Sequence, residues 1–170
     1  MSRLVIFCAA LLIFVAACRQ APGPLTDPAS GDAPSRASSP VVPAPRYDLS
    51  RDEQRGGHTL EKHVGRTDEQ LRERLARERI SAASTWTDRE TAETTVAQTL
   101  HAERRRVENW MRRGYPRANL ALYYDASRPI GRSMRRGQEQ SVDCTSAVIV
   151  LRADGPDSFF VLTTYPEARE

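Results

Sequence analysis

Hydrophobic positions change rhythm twice along the chain. From Leu4 to Ala17 they run unbroken for 14 residues behind Arg3. A membrane-crossing helix needs about 20 apolar residues, so this run has the length and positive start of an export signal. From about residue 47 the spacing turns helical. Gly56-Gly57 reads as a hinge. Thr59 is placed to cap a short helix through Val64, closed by Gly65. Thr67-Asp68-Glu69-Gln70 has the form of a capping box and opens a second helix to about Arg79, with Leu71 and Leu75 on its apolar side. Residues 81–86 read as a polar connection. Thr87-Asp88-Arg89-Glu90 repeats the box and opens a long helix to about Arg113. Ala92, Val96, Leu100, Val107, Trp110 and Met111 fall within about 80° of arc on it at 100° per residue. Beyond Gly114 and Pro116 the period shortens towards two. Residues 120–124, 130–134, 147–151 and 158–165 read as strands, the last two joined by the turn Asp154-Gly155-Pro156-Asp157. Helices first and strands afterwards predict an α+β fold with an antiparallel sheet.

Composition narrows the class. The chain has 170 residues, 39% hydrophobic and 28% charged, with a net charge of +3. That excludes a multi-span membrane protein, a collagen and a highly charged disordered tail, and it allows one domain of ordinary size. The charge is too balanced for binding by bulk electrostatics, so any nucleic-acid contact needs a local patch. Seven of the 11 prolines lie between Pro22 and Pro45, among Ala, Ser, Gly and Asp. Residues 18–47 therefore read as a disordered tether, and residues 48–170 as the folded domain. Of three cysteines, Cys144 is alone in that domain, which excludes an intradomain disulfide. The apolar run ends Val15-Ala16-Ala17-Cys18, which resembles the bacterial lipoprotein lipobox. The resemblance implies a signal peptide over residues 1–17, lipid on Cys18 and a membrane anchor. A cleaved signal with a chance cysteine is the alternative. Arg19, with no acidic retention signal, points to the outer membrane.

Few residues carry candidate chemistry. His101 falls on the far side of its helix from the apolar stripe and reads as solvated. His58 and His63 are five apart, about 140° around a helix, so they do not make a shared metal site. His63, in the last turn of its helix, should titrate near neutrality or above, as a general acid and base requires; a surface histidine beside a turn fits the same pattern. Arg74 flanks the Leu71/Leu75 stripe and can present its guanidinium beside His63, a planar donor for phosphate. In the last strand, Phe159, Val161, Thr163 and Tyr165 share one face by alternation, ending in two hydroxyls able to hold a phosphate. A strand fraying into water also ends this way. The run Arg104-Arg105-Arg106 reads as a solvated face. No phosphate-binding glycine loop, metal-type cysteine pair or Gly-x-Ser-x-Gly elbow occurs, so neither cofactor nor metal is implied.

Taken together, Gly56-Gly57-His58-Thr59-Leu60-Glu61-Lys62-His63-Val64-Gly65-Arg66-Thr67, Ile80-Ser81-Ala82-Ala83-Ser84, Ile130-Gly131 and Leu162-Thr163-Thr164-Tyr165-Pro166 resemble the bacterial RNase A-like toxin domain of contact-dependent growth-inhibition proteins. The order and spacing agree over about residues 54–167. The resemblance implies a fold like pancreatic RNase A without disulfides, and metal-independent cleavage of RNA. It implies a catalytic set of His63, Arg74, Thr163 and Tyr165, with His58 and Lys62 as secondary candidates. It also implies an immunity protein as partner and delivery into target cells. Two further readings remain open, both of an exported lipoprotein: a non-enzymatic envelope binding module, and an inhibitor or immunity lipoprotein.

Overall fold

A computed structural model describes residues 46–169; the export segment, Cys18 and all but the end of the proline-rich tether lie outside them. The described chain opens with α1 (Leu49–Glu53), capped by Asp48, whose carboxylate accepts from Ser50 N. Next comes α2 (Thr59–His63). Thr59 does not cap it. His58 holds the N-cap position, and the Thr59 hydroxyl is buried, accepting from Thr164 N at 2.9 Å. The open amides of α2 go instead to Glu53, which accepts from Leu60 N at 2.9 Å and Glu61 N at 3.4 Å. A carboxylate from α1 thus does the work expected of the threonine.

In α3 (Asp68–Arg77) the expected capping box is formed, Thr67 and Gln70 each bonding the other's backbone. Leu71 and Leu75 pack with Ala83, Met134 and Ile80. Residues 81–86 are not a connection. Ala82–Trp86 is strand β1, paired residue for residue with β3 (Gly131–Arg135). Burial on both sides explains the missing alternation: Ala83 through Trp86 are all buried, polar Ser84 and Thr85 included. This strand also precedes two helices, so helices and strands are interleaved.

The second box is not formed as expected, because Asp88 is the cap and accepts from Thr91 N at 2.7 Å. The single long helix is two, α4 (Arg89–Ala102) and α5 (Arg104–Met111), separated at Glu103, whose ψ of 15° leaves the helical range. The apolar stripe survives the break. Ala92 and Val96 on one side, Val107 and Trp110 on the other, reach the same core as Trp86, Leu122, Ile149, Leu151 and Val161.

The remaining strands are β2 (Leu120–Asp125), β4 (Val142–Cys144), β5 (Ser146–Ala153) and β6 (Phe159–Glu167). They complete two antiparallel sheets, β1-β3-β4 and β2-β5-β6. Strand β6 breaks alternation. Val161 pairs with Leu151 and Thr163 with Val150, so Leu162 is an extra residue. Leu151 and Val150 are neighbours and face opposite ways, and so do Val161 and Thr163. The sequence placed them on one face; the bulge turns Val161 into the core and Thr163 with Tyr165 to the other side. Cys144 is buried and free, and burial pushes its thiol up to about 11, which makes it packing rather than nucleophile.

The two sheets approach closely at Gly131, where an added Cβ would lie 2.4 Å from Thr85 O and 2.5 Å from Pro166 Cγ. Gly131→Ala is expected to lower stability by about 1–3 kcal/mol, read as an earlier midpoint in urea; an unchanged midpoint would show that the sheets separate freely there.

Candidate active site

A cleft of about 730 Å³ opens where α2, α3, β1, β3 and β6 meet. Into it project His58, His63, Arg74, Thr163 and Tyr165, five residues drawn from chain segments more than a hundred positions apart. Lys62 is not among them. Its side chain borders a separate shallow groove with Gln70, Arg77 and Glu78.

His63 closes α2 and is 6% exposed. Its Nδ1 lies 3.1 Å from the carbonyl of Ser84 on β1. A carbonyl only accepts, so Nδ1 carries the hydrogen and the lone pair is on Nε2. Nε2 is 3.4 Å from Nη1 of Arg74. The Tyr165 ring stacks on the imidazole at 5.5 Å between centroids and 30° between planes. Burial first, and then the Arg74 cation, push the imidazole down to about 3, against a smaller upward pull from Ser84. The expectation of a pKa near neutrality or above is therefore overturned. A helix C-terminus offers about 0.3–1 kcal/mol, and one pKa unit costs about 1.4 kcal/mol, so α2 cannot outweigh desolvation of a ring this deep.

Arg74 is fixed on three sides. Its Nε donates to Glu78 at 3.1 Å, and Nη1 to the Lys62 carbonyl at 3.3 Å while facing His63. Its neighbours Arg66 and Arg72 turn elsewhere, Arg66 to the carbonyls of Leu60 and Glu61, Arg72 to that of Glu139. Thr163 carries a buried Oγ1 with no hydrogen-bond partner among the described residues. Leaving a buried hydroxyl unpaired costs about 1–3 kcal/mol, so a group ending here invites a ligand acceptor or donor. Burial, with Glu167 and Tyr123, raises the pKa of Tyr165, which keeps its phenol a proton donor. His58 is held by its backbone, N–H donating to Leu162 O at 3.1 Å, and burial followed by Lys62 lowers its pKa.

Sequence reasoning missed Ser84, Ser133, Arg79, Arg135 and Glu167 on the cleft wall. Ser84 was hidden because β1 was read as a connection, and Ser133, on a segment read as a strand, because the strand it pairs with was not. Glu167 was discoverable, lying two residues past Tyr165 on the same side of β6. Among the described residues no cluster of three or more metal-ligating side chains occurs.

The α+β fold, with its interleaved helices and two antiparallel sheets, is that of an RNase A-like protein. Residues 57–166 match the family model "Bacterial CdiA-CT RNAse A domain", and the chain belongs to that family. It is also similar to a solved structure, the CdiA-CT/CdiI complex from Y. kristensenii 33638, at 29% identity and a TM-score of 0.60. That match covers 66% of this chain and 100% of the other. No curated protein sequence matches.

Burial of neutral His63 ties stability to pH. The folded pKa is about 3 and the free value 6.5. Between them the unfolded chain binds more protons, so the contribution is complete above about 6.5 and lost as pH falls towards 3. The urea midpoint of the parent should fall with pH over that window more than that of His63→Gln; equal slopes would mean that the ring is hydrated.

Proposed function

We propose that this cleft is the active site of a metal-independent ribonuclease that cleaves RNA through the ribose 2′-OH. The observation that carries the reading is the His63 imidazole, tied at Nδ1 to Ser84 and facing Arg74 at Nε2 beside the unpaired Thr163 hydroxyl. His63 Nε2 takes the 2′-OH proton. The oxygen attacks phosphorus in line, the P–O5′ bond breaks, and the products are a 2′,3′-cyclic phosphate and a 5′-OH end. The requirement for a 2′-OH restricts the substrate to RNA.

Arg74 serves two purposes in this scheme. Its Nη1 lies 3.4 Å from the His63 Nε2 that the base needs. An arriving phosphate offers the guanidinium a stronger, charge-assisted partner. The same contact stabilises charge that builds on the phosphoryl oxygens. It also offsets the cation that holds His63 down, so the imidazole accepts a proton more readily with substrate than without it. Thr163 donates to the phosphate. Tyr165 holds the plane of the imidazole and supplies a protonated phenol to the leaving oxygen. His58 is a secondary candidate on the same wall.

With RNA in excess EDTA, the purified chain is expected to produce cyclic-phosphate ends, and His63→Ala to lose about 10²–10⁴ in kcat/KM. Equal cleavage of DNA would sink the 2′-OH mechanism. No cleavage by well-folded protein between about pH 5 and 8 would favour a binding module of the envelope. The same assay serves for the partner. The CdiA-CT neighbour is solved with CdiI, which supports an immunity protein here, and that protein is expected to suppress cleavage when added.

For the rest of the chain we propose a signal peptide over residues 1–17, a lipid on Cys18, a tether over residues 18–47 and an RNase A-like domain over residues 48–170. The support is the unbroken apolar run, the lipobox-like Val15-Ala16-Ala17-Cys18 and the cluster of prolines. The protein is exported and held on the outer membrane before delivery. Metabolic labelling with a fatty acid should mark the parent and fail in Cys18→Ser; label retained in the variant would refute the anchor.

A further inference from the structure

The cleft wall does not end at the groups assigned above. Beyond Thr163 and Tyr165, strand β6 runs on to Glu167. Glu167 stands on the same side of the strand as Tyr165, about 7 Å further along, and lines the same cleft. It is the one carboxylate among the described residues of that wall, and its side chain is 43% exposed. Among the described residues it accepts no hydrogen bond, and its ion-pair contact is Arg169 Nε at 3.9 Å. The Arg169 guanidinium is engaged elsewhere, donating through Nη1 to the two oxygens of Asp125 at 2.8 and 3.1 Å. Both oxygens of Glu167 therefore keep their capacity to accept. Around them Ile80, Ala82 and Ala168 give the wall an apolar surface.

We propose that Glu167 selects the base of the nucleotide that supplies the 2′-OH, and that it favours guanine. The inference rests on the ribonuclease reading of the same cleft. That base is one glycosidic bond from the ribose whose 2′-OH meets His63, and His63 stacks on Tyr165. The base must therefore find its place close to Tyr165 along β6. An apolar wall bearing a single carboxylate suits a flat ring with donors on its edge. A carboxylate only accepts, through two oxygens side by side. Guanine presents N1–H and its N2 amino group at the matching spacing, so both oxygens are used, the paired arrangement that discriminates best between bases. Cytosine and adenine bring one amino group beside a ring acceptor. Uracil sets its single N–H between two carbonyls, which meet the carboxylate with like sign. The expected order is guanine first and uracil last.

A DNA oligonucleotide with one ribonucleotide has a single cleavable bond, and inosine differs from guanosine by the N2 amino group alone. With the full-length chain, replacing guanosine by inosine at that ribonucleotide is expected to lower kcat/KM about tenfold. Uridine there should be cleaved more slowly than either. The same replacement in the deoxynucleotide on the leaving side should change nothing. In Glu167→Gln the ratio of guanosine to inosine should fall towards one while cleavage of the uridine substrate persists. Glu167→Asp, which keeps the charge, should retain part of the ratio. Equal rates on guanosine and inosine in the parent, a ratio that survives in Glu167→Gln, or a Glu167→Gln that loses the uridine substrate as well would overturn the assignment and leave the ribonuclease standing. A parent that cleaves none of the substrates would overturn both.

Discussion

Leu162 is one residue more than the ladder between β5 and β6 can pair, and the cleft depends on that surplus. With strict alternation, Val161 and Thr163 would point the same way, and either the core would take in two hydroxyls or the cleft would take a valine. The bulge separates them. Its unpaired carbonyl receives the backbone N–H of His58 and so anchors the start of α2. Thr164, the second residue past it, receives two further elements. Its amide donates to Thr59 on α2, and its carbonyl accepts from the Trp86 indole on β1 at 3.1 Å. A single irregularity therefore sets which way Thr163 and Tyr165 face and what stands opposite them.

The electrostatics follow from that packing. Ser84 lends a carbonyl to His63 only because β1 is buried on both faces and runs directly beneath α2. The ring is then too deep to keep a charge, and the nearest charged group, Arg74, has its own sign. The two effects add. The histidine rests neutral and ready to accept, with its proton fixed on the nitrogen that faces the protein. Glu78 tempers Arg74 from the far side at a partly exposed pair, where such contacts contribute about 0.2–1 kcal/mol. Its value lies more in fixing the direction of the guanidinium than in stability.

Much of the domain was legible from residue order. The α3 capping box, the Leu71/Leu75 stripe, the last two strands and their turn, and the α+β class all appear in the structure. So does the convergence of His63, Arg74, Thr163 and Tyr165 on one cleft. What stayed hidden depends on tertiary contacts. Strand β1 lacks an apolar period because small and polar side chains fill both of its faces. The cap of α2 comes from another helix, which no local motif announces. The bulge at Leu162 leaves no trace in a run of Phe, Val, Leu and Thr, so alternation gave the right pair of residues on the wrong face. The pKa of His63 was misjudged for the same reason, since burial belongs to the fold and not to the helix end.

Cys144 has a consequence for where such a domain can work. It is the sole thiol among the described residues, enclosed and in no disulfide. No covalent cross-link between side chains secures residues 46–169, so no step in their folding waits on an oxidant. The ambient thiol–disulfide potential has nothing in the domain to act on. An envelope exposed to oxygen and a cytoplasm full of reduced thiols are equivalent surroundings for it, and passage from one to the other requires no change in covalent structure.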